Sequence, residues 1–136
     1  MISSNGKAVS EAGLGKTILV VDDDSLMLKN YETILKEAGH VVITRQDGRS
    51  ALTDILAVLR PDLVITDYRM PGMDGLEFIA QLKTIWPIIP VILCSLHVRS
   101  DQYAKGFSLG IAAFLSKPFS SQELLLAVDM ALRKTA

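Results

Sequence analysis

An open, doubly wound α/β sheet of five parallel strands is the fold class that this sequence predicts, and three observations predict it. Five short apolar runs are rich in β-branched residues and mostly lack apolar/polar alternation, as strands covered on both faces do. Segments with helical period lie between them. Strand and helix alternate five times, and right-handed crossovers then place helices on both faces of a single sheet.

The elements follow in order. Residues 1–16 carry Ser, Gly and other small residues without a sustained period, and are expected to be a flexible tail ahead of a domain spanning 17–134. Within it, Gly13-Leu14-Gly15-Lys16-Thr17 resembles the end of a phosphate-binding P-loop. The match fails because Ser10 stands where the first glycine belongs, and because Lys16-Thr17 leads into a strand rather than a helix. The first strand is Ile18–Val21. Leu28, Tyr31, Leu35 and Ala38 then mark a helix that Gly39 stops. Val41–Ile43 is the second strand. Asp47-Gly48 has the composition of a hairpin turn, but the helical period of Ala51, Ile55 and Leu59 after it favours a strand-to-helix loop, with Pro61 ending the helix. Leu63–Ile65 is the third strand, followed by a stripe of Leu76, Ile79, Leu82 and Trp86 that Pro87 closes. Val91–Cys94 is the fourth strand. Tyr103, Phe107 and Gly110 give a weaker helical stripe, and Ile111–Leu115 is the fifth strand. Leu124, Val128 and Ala131 mark the last helix, and Ser120-x-x-Glu123 before them is a capping box.

Composition narrows the function. The 136 residues suffice for one domain with a real core and are too few for two. A net charge of −1 gives no global attraction to nucleic acid or an anionic membrane. One cysteine, Cys94 within an apolar run, excludes an internal disulfide and reads as a small buried hydrophobe. No apolar stretch approaches the roughly 20 residues that span a bilayer, and no signal peptide is visible, so a cytoplasmic protein is expected.

In such a sheet, function gathers at the carboxyl ends of the strands. Strand one ends in Asp22-Asp23-Asp24, strand three in Asp67, strand four in Ser95 and strand five in Lys117-Pro118. The second ends in Thr44-Arg45 and offers nothing comparable. Asp67 is followed closely by the turn-forming run Met70-Pro71-Gly72-Met73-Asp74-Gly75. Asp22, Asp23 and Asp67 brought together would repel one another, and a Mg²⁺ ion relieves that repulsion. With the Lys117 ammonium opposite and the Ser95 hydroxyl nearby, the pocket suits a phosphoryl group attacked in line by a carboxylate. Singly, these residues have plainer roles. Asp24 or Ser25 is a helix N-cap, and a lone lysine at a strand end is usually solvated.

Together, Ile18-Leu19-Val20-Val21-Asp22-Asp23-Asp24, Asp67 with its Met70–Gly75 turn, Ser95 and Lys117-Pro118-Phe119 resemble the receiver domain of two-component response regulators, from about Thr17 to Arg133. The resemblance implies a flavodoxin-like strand order of 2-1-3-4-5. It implies Asp67 as phosphoacceptor, served by a sensor histidine kinase or phosphotransfer protein. It implies Mg²⁺ held by Asp23, Asp67 and the backbone carbonyl of Arg69, with Asp22 reaching the ion through water. Ser95 and Lys117 would hold the phosphoryl oxygens, and Phe114 would be a switch aromatic that turns inward as Ser95 moves. A cis Lys117–Pro118 bond is also implied. The face of helix 4, strand 5 and helix 5 would address an output domain or partner protein, with a homodimer possible on phosphorylation and no direct nucleic-acid contact. Leu96 stands where this family usually has Ala or Gly, and Arg69 and His97 occupy positions that tune phosphoryl lifetime.

Two rivals remain open at this level. Val20-Val21-Asp22-Asp23-Asp24 also fits the start of haloacid-dehalogenase-type phosphatases, with Asp22 as nucleophile, but that leaves Asp67 and its turn unexplained. A receiver-like interaction module that no longer switches is the other, suggested by Leu96. Turnover of a small-molecule substrate is not expected. The unpatterned head and the end just after the fifth helix favour a domain cut from a longer protein.

Overall fold

The computed structural model describes residues 15–96 and 99–133. Ten elements alternate: β1 (Thr17–Val21), α1 (Ser25–Glu37), β2 (Val41–Arg45), α2 (Gly48–Ala57), β3 (Leu63–Asp67), α3 (Gly75–Ile85), β4 (Val91–Ser95), α4 (Ser100–Ser108), β5 (Ala113–Ser116) and α5 (Ser121–Arg133). All strand pairs are parallel, in the order β2-β1-β3-β4-β5. The predicted doubly wound sheet is therefore the observed one.

Why the central strands carry unbroken apolar runs follows from the side-chain period of two. In β1, Ile18 and Val20 enter one core layer and Leu19 and Val21 the other. Ile65 of β3 and Ile92 and Cys94 of β4 join the first layer; Val64 and Leu93 join the second. Tyr31 and Leu35 of α1 and Leu124 and Val128 of α5 close the first layer. Ala51 and Ile55 of α2 and Phe78, Ile79 and Leu82 of α3 close the second.

Helix starts obey local chemistry. Asp24 caps α1 by accepting from the amides of Leu26 and Met27. Asp47 caps α2 through the Ser50 amide, which makes Asp47-Gly48 the entry to a helix and not a hairpin. Ser120 and Glu123 form the expected capping box, each side chain accepting from the other's amide at 3.0 Å. Gly39, with φ of 96°, supplies the left-handed exit from α1. Thr17 opens a strand, against the P-loop pattern, whose Gly13 and Leu14 lie outside the described residues.

Several boundaries differ from the sequence reading; β2, β3 and β4, for example, run on to Arg45, Asp67 and Ser95. α2 ends at Ala57, short of Pro61, because the amides of Val58 and Leu59 both turn back to the Asp54 carbonyl. β5 starts at Ala113; Ile111 and Ala112 are its buried lead-in. The fourth stripe is also not a core stripe. Among its described residues α4 buries only Gly106, while Phe107 is 61% exposed and Gly110 falls beyond the helix end. A buried Leu or Ile side chain contributes about 1.5–3 kcal/mol, and α4 supplies none. Its hold on the sheet is correspondingly weak.

Candidate functional site

The chain ends its ladders where the candidate residues begin. The Asp22 amide still donates to the Arg45 carbonyl (3.1 Å), that of Tyr68 to Cys94 (2.9 Å) and that of Lys117 to Ser95 (2.8 Å). Backbone pairing thus persists through the first loop residue, and the side chains project from a fixed edge.

Three of the predicted residues touch. Lys117 Nζ lies 3.0 Å from Asp22 Oδ2 and 3.2 Å from Asp67 Oδ1. The second oxygen of Asp22 accepts from the Asp24 amide at 2.9 Å, so a buried carboxylate has both oxygens engaged. Asp67 Oδ1 also accepts from the Tyr68 amide at 3.0 Å. Its Oδ2 has no hydrogen-bond partner among the described residues. Asp23 is exposed, yet one of its oxygens lies with one each from Asp22 and Asp67 in a group spanning no more than 4.8 Å.

Ser95 is buried and lines, with Asp67, Arg69, Leu96 and Lys117, a cleft of about 270 Å³. Leu96 lines the cleft and is itself exposed. A second hollow, of about 400 Å³, has Asp23, Arg69 and Asp74 among its lining residues. Arg69 therefore borders both. Phe114 stands apart from the cleft and packs on α4. His97 lies outside the described residues. The Lys117–Pro118 bond is cis, as the motif implied.

Electrostatics fit the contacts. Burial raises the Asp67 carboxyl above the usual range; the Lys117 ammonium opposes this and Asp22 adds to it. Burial alone would lower Lys117, but hydrogen bonds and ion pairs with Asp22 and Asp67 outweigh it, and its pKa is raised. The ammonium therefore stays charged at neutral pH. Burial pushes the Cys94 thiol up to about 12, as expected of an inert core residue. Three carboxylates face one ammonium, leaving an uncompensated charge of two. An all-oxygen cluster with that deficit fits a hard divalent cation such as Mg²⁺.

Two features go beyond the sequence reading, which took Gly75 only as one of the residues shaping the turn around Asp67. Gly75 opens α3 against the end of β3: a Cβ there would lie 2.3 Å from the Asp67 carbonyl oxygen. The Gly75 amide donates to the Tyr68 carbonyl at 2.7 Å, so this close approach pins the loop after Asp67. Gly75 ends the conspicuous Met70–Gly75 run, but only the fold shows what it faces. The second is a groove of about 340 Å³ beside the cleft, between Met27 and Asn30 of α1 and Leu96, Pro118 and Phe119.

Comparison with known proteins decides the family. The response regulator receiver domain profile matches residues 18–129. The chain belongs to the response regulator receiver domain family. Receivers are signalling switches, not enzymes of the usual kind. This one is 37% identical over 118 residues to the response regulator MprA of Mycolicibacterium vanbaalenii, covering 87% of the chain and 51% of that protein. It is 37% identical over 113 residues to the DNA-binding transcriptional regulator NtrC of Klebsiella pneumoniae, covering 83% of the chain and 24% of that protein. The receiver thus spans about half or less of these relatives' length. Its fold matches the chemotaxis protein CheY4 of Vibrio cholerae with a TM-score of 0.82 at 28% identity, covering 86% of the chain and 98% of CheY4. Among the described residues no helix is long and apolar enough to cross a membrane.

Proposed function

We propose that Asp67 is the phosphoacceptor of a phosphorylation-controlled switch. The observation that carries this is the placement of its carboxylate at the cleft. One oxygen is held by Lys117 and the Tyr68 amide, and the other is without a partner among the described residues. An in-line attack by that oxygen forms a P–O bond as the P–N bond of a phosphohistidine breaks, and the electron pair leaves on the imidazole nitrogen. The donor is a sensor histidine kinase or a phosphotransfer protein. Asp22 suits the nucleophile's role less well, since both its oxygens are engaged and it is 1% exposed.

Asp23, Asp67 and the Arg69 carbonyl, with Asp22 behind them, would hold Mg²⁺. When bound, the ion neutralises charge on the phosphoryl oxygens. Lys117 does the same from the opposite side, and Ser95 donates a hydrogen bond to the phosphoryl group. Arg69, Leu96 and His97 tune how quickly the site loads and how long it holds the group; the position of Arg69 and Leu96 on the cleft supports this. As Ser95 shifts, Phe114 turns inward and the α4–β5–α5 face changes. Exposed Tyr103, Phe107, Leu126 and Met130 support that face as a contact surface for an output domain, a partner protein or a second copy. The unit comprises residues 17–134, acts in the cytoplasm and does not itself touch nucleic acid.

The test is incubation with Mg²⁺ and acetyl phosphate beside Asp67→Asn. The parent takes up an acid-stable, base-labile label and the variant takes up none. Labelling that survives the substitution refutes the assignment. Equal autodephosphorylation rates for the parent, Arg69→Ala, Leu96→Ala and His97→Ala would refute the tuning role.

A further inference from the structure

The amino ends of the strands, opposite the Asp67 cleft, carry a further groove of about 470 Å³. That volume lies in the range of small-molecule pockets. Residues 87–90 of the loop after α3 and residues 110–112 ahead of β5 line it, and all of them are apolar or glycine. Ile88 among them is 77% exposed. Lys83 is the one charged side chain among the described lining residues. Its Nζ donates to the Ile89 carbonyl at 2.7 Å and to the Pro87 carbonyl at 3.3 Å, which ties the loop to the end of α3. An ammonium has three N–H groups, and the third finds no acceptor among the described residues. No carboxylate lies within ion-pair distance of it among those residues either. Burial lowers the Lys83 pKa and no neighbouring charge opposes the shift. Beside the ammonium the chain leaves room: a Cβ on Gly110 would lie 3.9 Å from Lys83 Nζ and within 4 Å of nothing else. The φ of 80° at Gly110 disfavours any side chain there, so the space next to Nζ stays open.

We propose that this groove binds a small apolar monocarboxylate, with its hydrocarbon body against Ile88 and Ile111 and its carboxylate on Lys83 Nζ above Gly110. Charge complementarity selects that class. The carboxylate gives the half-buried cation a counter-ion and accepts its third N–H in a charge-assisted hydrogen bond. A neutral ligand of the same shape would leave the cation unpaired. A dianion would bring a second charge into an apolar groove that has a single cation to meet it. The groove shares no residue with the Asp67 cleft, so the inference does not rest on the phosphoacceptor reading.

The experiment follows backbone amide NMR shifts of the full chain at pH 7 as hexanoate or hexan-1-ol is added. Hexanoate is expected to shift the amides of Ile88, Ile89, Gly110 and Ile111 saturably. It should bind about tenfold more tightly than hexanol, the gain from one hydrogen bond to a charged group. Lys83→Met is expected to bind the two alike, and Lys83→Arg to keep the preference for hexanoate. Asp67→Asn should bind hexanoate as the parent does. The absence of saturable shifts at these amides overturns the inference. So does equal binding of hexanoate and hexanol by the parent, or a preference that survives in Lys83→Met. If Lys83→Met does not fold, the comparison of hexanoate with hexanol in the parent decides.

Discussion

Replacing Gly75 by Ala tests how the loop after Asp67 is held. The new Cβ would stand 2.3 Å from the Asp67 carbonyl oxygen, 2.9 Å from Tyr68 Cα and 3.0 Å from Leu93 Cδ1. Comfortable non-bonded contacts involving carbon lie at about 3.5–4.0 Å, so the first overlap exceeds roughly 1 Å. Two of the three atoms are backbone and cannot rotate away. The start of α3 must retreat, and the 2.7 Å bond from the Gly75 amide to the Tyr68 carbonyl stretches or breaks. Overpacking costs about 1–3 kcal/mol and the lost hydrogen bond about 0.5–1.5 kcal/mol. Better helix propensity returns at most about 1 kcal/mol. The net is a destabilisation of about 2 kcal/mol. With a urea slope of about 1.5 kcal/mol/M, the midpoint should fall by about 1.3 M at unchanged slope. Displacing the loop should also slow labelling of Asp67 by acetyl phosphate. A midpoint equal to or above that of the parent would refute the close-approach argument.

Three further outcomes are expected. Because burial raises the Asp67 carboxyl, the folded protein binds more protons than the unfolded chain between the ordinary and the raised pKa. The ionised group therefore lowers stability above that window, and Asp67→Asn should melt higher than the parent at pH 7 without Mg²⁺; a lower melting temperature contradicts this. Lys117 competes with a cation for Asp22 and Asp67, so Lys117→Met should bind Mg²⁺ several-fold more tightly in calorimetric titration while losing most of its labelling by acetyl phosphate. His40 is buried, and burial lowers its pKa against the opposing pull of Asp129. Stability from its neutral form is complete above its unfolded value of about 6.5 and declines as pH falls below that value, where the unfolded chain binds more protons. Urea unfolding from pH 7.5 to 5.5 should show this decline in the parent and a smaller one in His40→Gln.

The sequence by itself determined the architecture and the chemical inventory of this receiver. Runs such as Leu63–Ile65 are apolar at every position because both faces of a central strand are covered, and that property is local enough to be seen in one chain. Asp22, Asp67, Ser95 and Lys117 were legible because each ends such a run, and strand ends converge at one edge of a parallel sheet. Two helix caps were legible for the same reason: Asp24 and Ser120 bond to amides only two or three residues ahead. The extent of α2, the start of β5 and the exposure of Phe107 were not, since each depends on what lies across space. Tertiary structure alone decided that Lys117 bridges Asp22 and Asp67, separated by 95 and 50 positions in sequence. It also decided that Gly75 faces the Asp67 carbonyl and that Gly106 faces the Phe114 ring. A glycine writes no side-chain signal into the sequence; what it leaves room for is fixed by the neighbour that the fold brings against it.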